Sequence, residues 1–330
     1  MSTEEIGTEH VEAVRAFRER VLIELRKRIV GQDEVIELML TSLLAGGHGL
    51  FVGVPGLAKT LLISTLAESM SLSFSRIQFT PDLMPSDVTG AEIMEEDTGT
   101  GKRIFRFVKG PIFCQILLAD EVNRTPPKTQ AALLEAMAER QVTAGATTHT
   151  LEAPFLVFAT QNPIEQEGTY PLPEAQLDRF MLSIHVDYPS FDQEVDIVAR
   201  TTSAPVAQVE VIAAAEELLE LQRTVLAIVT APDVVRYAVE IVSRTRPDTE
   251  RAPTLVKQYV SWGAGPRASQ HLILAAKARA ALQGRPHASR EDVANLAPAV
   301  LRHRVLTTYQ AEAQGVEADE LITAILDSLD

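Results

Sequence analysis
The chain has 330 residues, 46% hydrophobic and 23% charged, which is enough apolar material for a sizeable core and two domains. Its 45 acidic residues outnumber 30 basic ones, and the net charge of −15 argues against a surface that binds nucleic acid nonspecifically. A single cysteine, Cys114, excludes an internal disulfide or a cysteine metal cluster, and there is no uninterrupted apolar stretch of about 18 residues for membrane insertion.

The chain begins Met1-Ser2-Thr3-Glu4-Glu5, without a basic and apolar leader, so a cytoplasmic protein is expected. Over residues 9–29, Val11, Val14, Phe17, Val21, Leu22 and Leu25 recur at helical spacing, which predicts an amphipathic first helix. The apolar run at 49–52 reads as a strand. It leads into Gly53-Val54-Pro55-Gly56-Leu57-Ala58-Lys59-Thr60 and then a helical pattern over 61–70. Glycines in such a strand-to-helix loop let backbone amides point at phosphate oxygens, and the helix N-terminus adds partial positive charge. Lys59 is placed to reach the β- and γ-phosphates of ATP, and the Thr60 hydroxyl to ligate Mg²⁺. The usual pattern has glycine where this chain has Ala58; a methyl group is tolerable there if the Ala58 backbone is right-handed.

Between residues 84 and 111 short alternating runs flank the turn signal 97–101, which predicts a β-hairpin carrying a modest basic cluster, Lys102, Arg103 and Arg106. Cys114 reads as a small buried hydrophobe at the entrance to the next strand. That strand, 116–121, ends in Asp120 and Glu121, where α/β sheets bind ligands. Asp120 is suited to hold Mg²⁺ through water, and Glu121 to orient and deprotonate an attacking water. A third buried-type strand, 154–162, ends in Thr160, Gln161 and Asn162. Asn162 is placed to align the lytic water, although an asparagine before Pro163 taken alone reads as a satisfied turn residue.

After Pro189 strand signals fade and helical patterns take over at 194–202, 211–226 and beyond 232. The turn at 284–286 precedes Ser289, which suits a helix N-cap. His48, His271 and His303 have no metal-like partner at helical spacing, so core or surface roles are expected. The fold expected is α/β, a parallel-sheet core over residues 1–190, then a helical connection over 191–231 and a small all-helical lid over 232–330.

Four segments are identified together as features of a MoxR-family AAA+ ATPase, a resemblance that covers nearly the whole chain. They are Val30-Gly31-Gln32, the loop 53–60, the run 120–130 (Asp-Glu-Val-Asn-Arg-Thr-Pro-Pro-Lys-Thr-Gln) and the run 159–180. In that family alanine is usual at the position of Ala58. The resemblance implies Lys59 and Thr60 as Walker A, Asp120 and Glu121 as Walker B, and Asn162 as sensor 1. It implies Arg179 as the finger that reaches a neighbouring subunit's γ-phosphate, and Arg267 as the sensor 2 arginine supplied by the lid, with ATP at the seam between core and lid. Arginine suits both positions because a planar, permanently charged donor stabilises the charge spread over the γ-phosphate. The plain alternative for each is a surface ion pair: Asp178 adjoins Arg179, whereas Arg267 has no acid nearby in sequence. Arg124 and Arg140 are secondary interface candidates.

The same resemblance implies that the hairpin at 84–111 is a helix-2 insert facing the channel of a homo-oligomeric ring of about six copies. It also implies a separate partner bearing a von Willebrand factor A domain. The activity implied is chaperone-like remodelling or maturation of a client protein, such as metal insertion or complex assembly. Two other readings share these motifs. One is a nucleic-acid-directed or chelatase-type motor subunit. The other, a non-hydrolysing nucleotide-gated scaffold, is disfavoured because Lys59, Glu121, Asn162, Arg179 and Arg267 are all present.

Overall fold
The computed structural model describes residues 7–96, 103–144, 147–165, 168–203 and 205–329. Helices α1 (Thr8–Arg26) and α2 (Asp33–Leu44) precede strand β1 (Gly49–Val52), helix α3 (Lys59–Ser69) and strand β2 (Phe74–Gln78). A short helix α4 (Pro85–Thr89) enters a hairpin of β3 (Gly90–Glu96) and β4 (Arg103–Lys109). Strand β5 (Ile116–Asp120), a 3-10 turn (Val122–Arg124), helix α5 (Pro127–Glu139) and a second hairpin, β6 (Gln141–Ala144) with β7 (Thr147–Thr150), come next. Strand β8 (Leu156–Gln161), the single helical turn α6 (Glu174–Leu177) and strand β9 (Leu182–His185) complete the α/β part.

The rest is helical: α7 (Phe191–Ser203), α8 (Ala215–Ala227), α9 (Pro232–Arg244), α10 (Thr254–Tyr259), α11 (Pro266–Leu282), α12 (Arg290–Leu301), α13 (Tyr309–Gln314) and α14 (Ala318–Asp327). Two short ladders add to the expected helices. Val229–Thr230 pairs with His287–Ala288, and Val260–Trp262 pairs with Leu306–Thr307.

Five parallel strands form the central sheet in the order β2-β5-β8-β1-β9. Its strands are continuous apolar runs because both faces are covered. Alternate residues go to opposite sides: Ile116, Leu118 and Phe158 join the core under α1, α2 and α3, while Leu117, Ala119 and Val157 face α5 and the second hairpin. The apolar stripe of α1 is buried where the periodicity places it, from Val11 through Leu25. The first core continues without a break into the helical part, where α11 turns a face of alanines (Ala268, Ala275, Ala276, Ala278) inward. Side chains that small let neighbouring helices approach closely. Ser289 caps α12 as expected: its hydroxyl accepts the Asp292 amide (3.2 Å) and Asp292 Oδ2 accepts the Ser289 amide (2.9 Å).

The first hairpin runs in register from Gly90↔Lys109 to Glu96↔Arg103; its turn at 97–101, and Lys102, lie outside the described residues. At its base Gly90 sits at φ +91°, and a Cβ there would lie 2.2 Å from the Val108 carbonyl oxygen, so only glycine fits. The second hairpin has no counterpart in the sequence reading. The two are joined by aromatic rings: Phe107 stacks on His149 at 4.0 Å, Phe113 meets both edge-on, and the Lys109 ammonium lies 5.2 Å from the Phe113 ring centre. Cys114 is buried and free, and burial pushes its thiol pKa up to about 11.

His48 and His271 are among the imidazoles locked neutral by burial. His48 accepts the Val157 amide at Nδ1 (3.0 Å) and donates from Nε2 to the Met137 carbonyl (3.3 Å), and burial pushes its pKa down from 6.5 to about 4. Burial and, next, the Arg304 guanidinium push His271 down to about 3. Below pH 6.5 the unfolded chain therefore binds more protons than the folded one. The stabilisation is complete above that pH and is lost as pH falls towards 4. Each histidine should remove about 2 kcal/mol of stability between about pH 8 and about pH 5. Denaturant midpoints across that window check this; a flat profile would show that the imidazoles protonate freely in the folded state.

Candidate active site
β1 ends between β8 and β9, so the loop that follows opens at the carboxyl edge of the sheet. Gly53 has no room for a side chain, since a Cβ would lie 2.6 Å from the Val186 carbonyl oxygen. Ala58 sits at φ +56°, ψ +18°, not in the right-handed region expected for a tolerated alanine. A left-handed alanine costs on the order of 1–2 kcal/mol, and the surroundings must hold it. They do so from both sides: Leu57 is buried in the core, and the Gln32 amide donates to the Leu57 carbonyl at 3.0 Å. Gln32 is itself left-handed, as is Gly31, against which the Gln193 side chain of α7 packs. Lys59 Nζ donates to the Gly53 carbonyl and to that of Val54 (2.9 Å). Burial lowers its pKa, and Asp120 and Glu121 oppose that shift.

The two acids at the end of β5 face the same space. Asp120 is 8% exposed; its Oδ1 accepts the Thr160 hydroxyl (2.6 Å) and its Oδ2 accepts Arg76 Nη2 (2.6 Å). The Thr160 oxygen also accepts the Glu121 amide (2.8 Å). Glu121 turns the chain sharply at φ +56°, and its carboxylate accepts Gln78 Nε2 (2.6 Å) and pairs with Arg124 (3.1 Å). Arg124 also pairs with Glu165. Asn162 accepts the Ile164 amide (3.2 Å), the turn role open to it, and its Nδ2 reaches Glu165 (3.3 Å).

Loop residues 55–61, Arg76, Gln78, Asp120, Glu121 and residues 160–162 line one cleft of about 420 Å³. Lys59, Thr60, Asp120, Glu121 and Asn162 are thereby brought together. Arg76 and Gln78 are additions that sequence reasoning missed. A hydroxyl and a carboxylate beside a loop of backbone amides form a hard-oxygen donor set, which fits Mg²⁺ accompanying a triphosphate. A second pocket of about 370 Å³ adjoins the cleft at Leu61 and is walled by Lys27, Arg28 and Val30 on one side and by Ile197, Arg200 and Thr201 of α7 on the other.

Neither Arg179 nor Arg267 lines the cleft. Arg179 lies in the turn after α6 and makes no side-chain bond among the described residues. Asp178 does not pair with it. Instead its two oxygens take Arg304 Nε and Arg267 Nη1, each at 2.8 Å. Arg267, without an acid nearby in sequence, thus finds one 89 residues away and sits beside the Arg179 turn. The reason is the seating of α11: its alanine face is buried in the core, which leaves its N-terminus pointing at that turn.

A family model described as "ATPase family associated with various cellular activities (AAA)" matches residues 48–182, and one described as "AAA lid domain" matches residues 252–325. Chaperone MoxR1 of Mycobacterium tuberculosis is 43% identical over 98% of this chain and 84% of its own. Protein MoxR of Methylorubrum extorquens is 30% identical over 93% of this chain and 92% of its own. A crystal structure of a protein from Cytophaga hutchinsonii, described as a candidate ATPase, superposes with a TM-score of 0.90 at 42% identity, covering 98% of this chain and 97% of that one.

Ala58→Gly should relieve the left-handed strain and raise the unfolding free energy by about 0.5–1 kcal/mol, with nucleotide binding retained. Chemical denaturation checks this, and a destabilised glycine variant would show that the loop holds alanine without strain.

Proposed function
The chain belongs to the MoxR family of AAA+ ATPases, and from that premise we propose that it hydrolyses ATP at a cleft completed by a second copy, in a ring that remodels or matures client proteins. The observation that carries this reading is the separation of two sets of residues. Lys59, Thr60, Asp120, Glu121 and Asn162 share one cleft, while Arg179 and Arg267 sit together outside it. The arginine that does line the cleft, Arg76, is tied to Asp120, and a finger supplied by a neighbour suits the charge that this leaves on the γ-phosphate.

Residues 53–60, with Gly31 and Gln32 behind them, would cradle the phosphates, and Lys59 would exchange its carbonyl partners for the β- and γ-phosphates. The apolar pocket between Val30, Leu61 and Ile197 suits the adenine base. Thr60 and Asp120 would hold Mg²⁺, Asp120 through water, and the ion would neutralise charge on the phosphate oxygens. Glu121 takes a proton from the attacking water as the new P–O bond forms and the bond to ADP breaks, with Asn162 aligning that water. For this the Glu121 carboxylate must leave Gln78 or Arg124, which hold it now. Arg179 would stabilise charge on the next subunit's γ-phosphate, and Arg267 would act from the same face.

Residues 1–190 then form the nucleotide core, 191–231 the connection and 232–330 the lid whose movement transmits hydrolysis. On the hairpin, Met94 and Phe105 are exposed, which suits contact with a client in the ring channel. The name of the mycobacterial relative supports a chaperone role, and a separate von Willebrand factor A domain partner is expected. Among the described residues no helix is long and apolar enough to cross a membrane, and we assign the protein to the cytoplasm. A net charge of −15 weighs against a nucleic-acid-directed motor.

Lys59→Ala should abolish ATP binding, whereas Glu121→Gln should retain it and lower kcat by about 100-fold or more. Equal loss of binding in both would show that Glu121 has another role. Arg179→Ala should bind ATP yet lose hydrolysis by about 1,000-fold, and mixing it with Glu121→Gln should restore turnover. No restoration would exclude a finger acting between subunits.

A further inference from the structure
We propose that Arg304 is a positioning residue for Arg179, a buried guanidinium that clamps the finger-bearing turn to the helical part of the chain. This rests on the reading that Arg179 completes a neighbour's cleft. Arg304 follows α12 and has 2% of its side chain exposed, yet all three of its nitrogens have partners. Nε donates to Asp178 Oδ1 (2.8 Å). Nη2, with two N–H groups, faces three acceptors, the carbonyls of Asp178 (2.9 Å) and Phe180 (2.7 Å) and His271 Nδ1 (2.8 Å), and Nη1 donates to the carbonyls of Met181 (3.3 Å) and Val300.

The Asp178 and Phe180 carbonyls flank Arg179, so the guanidinium grips the backbone immediately before and after the finger. The finger side chain itself makes no bond among the described residues. His303 adds a second hold on the Phe180 carbonyl (3.1 Å), and Arg267 takes the remaining Asp178 oxygen. The turn is thus fixed from the start of α11 and the end of α12 together.

Packing alone does not call for this residue. A buried charge is costly, and an apolar side chain of similar volume usually stabilises as well or better. What a guanidinium adds is a planar fork of five N–H donors whose directions are set, which fixes the position of the backbone carbonyls it meets. Lysine, with one rotatable ammonium, cannot reproduce that grip. A finger must arrive within a fraction of an ångström, since a misplacement of about 1 Å can cost about 100-fold in rate.

The test uses the full chain with Arg304→Met, which keeps most of the volume, and Arg304→Lys, which keeps the charge. Size and thermal midpoint establish that each variant folds and assembles. Both should bind a fluorescent ATP analogue with Kd within about twofold of the unmodified protein and show unchanged KM, while kcat falls about 10- to 100-fold. Equal mixing of Arg304→Met with Glu121→Gln should recover turnover, because the intact cleft of the first is then served by the intact finger of the second.

Unchanged kcat in both variants would overturn the proposal, as would failure of both to fold and assemble or parallel loss of nucleotide binding, either of which marks a general structural role. The mixture of Arg179→Ala with Glu121→Gln separates the two levels. If it recovers and the Arg304→Met mixture does not, the positioning role is wrong. If neither recovers, the finger between subunits is itself excluded and the proposal falls with it.

Discussion

One hydroxyl joins the two strand ends on which the cleft is built. Thr160, the penultimate residue of β8, donates to Asp120 and accepts the Glu121 amide, so the ends of β5 and β8 are tied where the sheet stops supplying partners. A parallel sheet covered on both faces leaves no water to satisfy such groups, and the side chains at its carboxyl edge must do so. The left-handed turn at Glu121 follows from that tie, because its amide is committed to β8 while the chain has to leave the sheet. Its carboxylate, held on Gln78 and Arg124, lines the same cleft as the loop that carries Lys59.

The elements that announce themselves in the sequence are those whose signal is local. The stripe of α1 has a single period, and the loop 53–60 lies between a strand and a helix that both read clearly. Asp120 and Glu121 end an uninterrupted apolar run. Arg76 and Gln78 could not be read the same way. They alternate along a half-exposed strand, and only the register that sets Gln78 beside Asp120 gives them a role. The second hairpin escaped because its threonine-rich strands are largely exposed and carry no apolar alternation. The backbone of Ala58 was beyond reach for another reason: a residue type does not report its own φ, and the left-handed state is held by Gln32, from outside the loop, and by the burial of Leu57.

The arginines show the limit most plainly. Adjacency in sequence suggested that Asp178 would pair with Arg179, and nothing local suggested a partner for Arg267. Folding reversed both, because Asp178 points into the junction with α11 and α12 while Arg179 makes no side-chain bond there among the described residues. An ion pair across 89 residues is decided by helix packing, and the packing of α11 is decided by alanines that have no functional signature of their own. The consequence is a division in space: the sheet edge gathers one set of polar residues into a cleft, and the helical junction holds Arg267 and Arg304 outside it.

The aromatic contact between the two hairpins has a mechanical meaning. A lone two-stranded ribbon bends easily, since nothing resists rotation about its base. Here Phe107 of one ribbon is laid flat on His149 of the other, with Phe113 wedged against both, and the glycine at the root of the first leaves no slack. The pair therefore behaves as a braced beam, in which a sideways load on the strands of either ribbon is shared by two supports. Force applied at the base of one ribbon would travel along it as displacement, with less of it dissipated as flexing on the way.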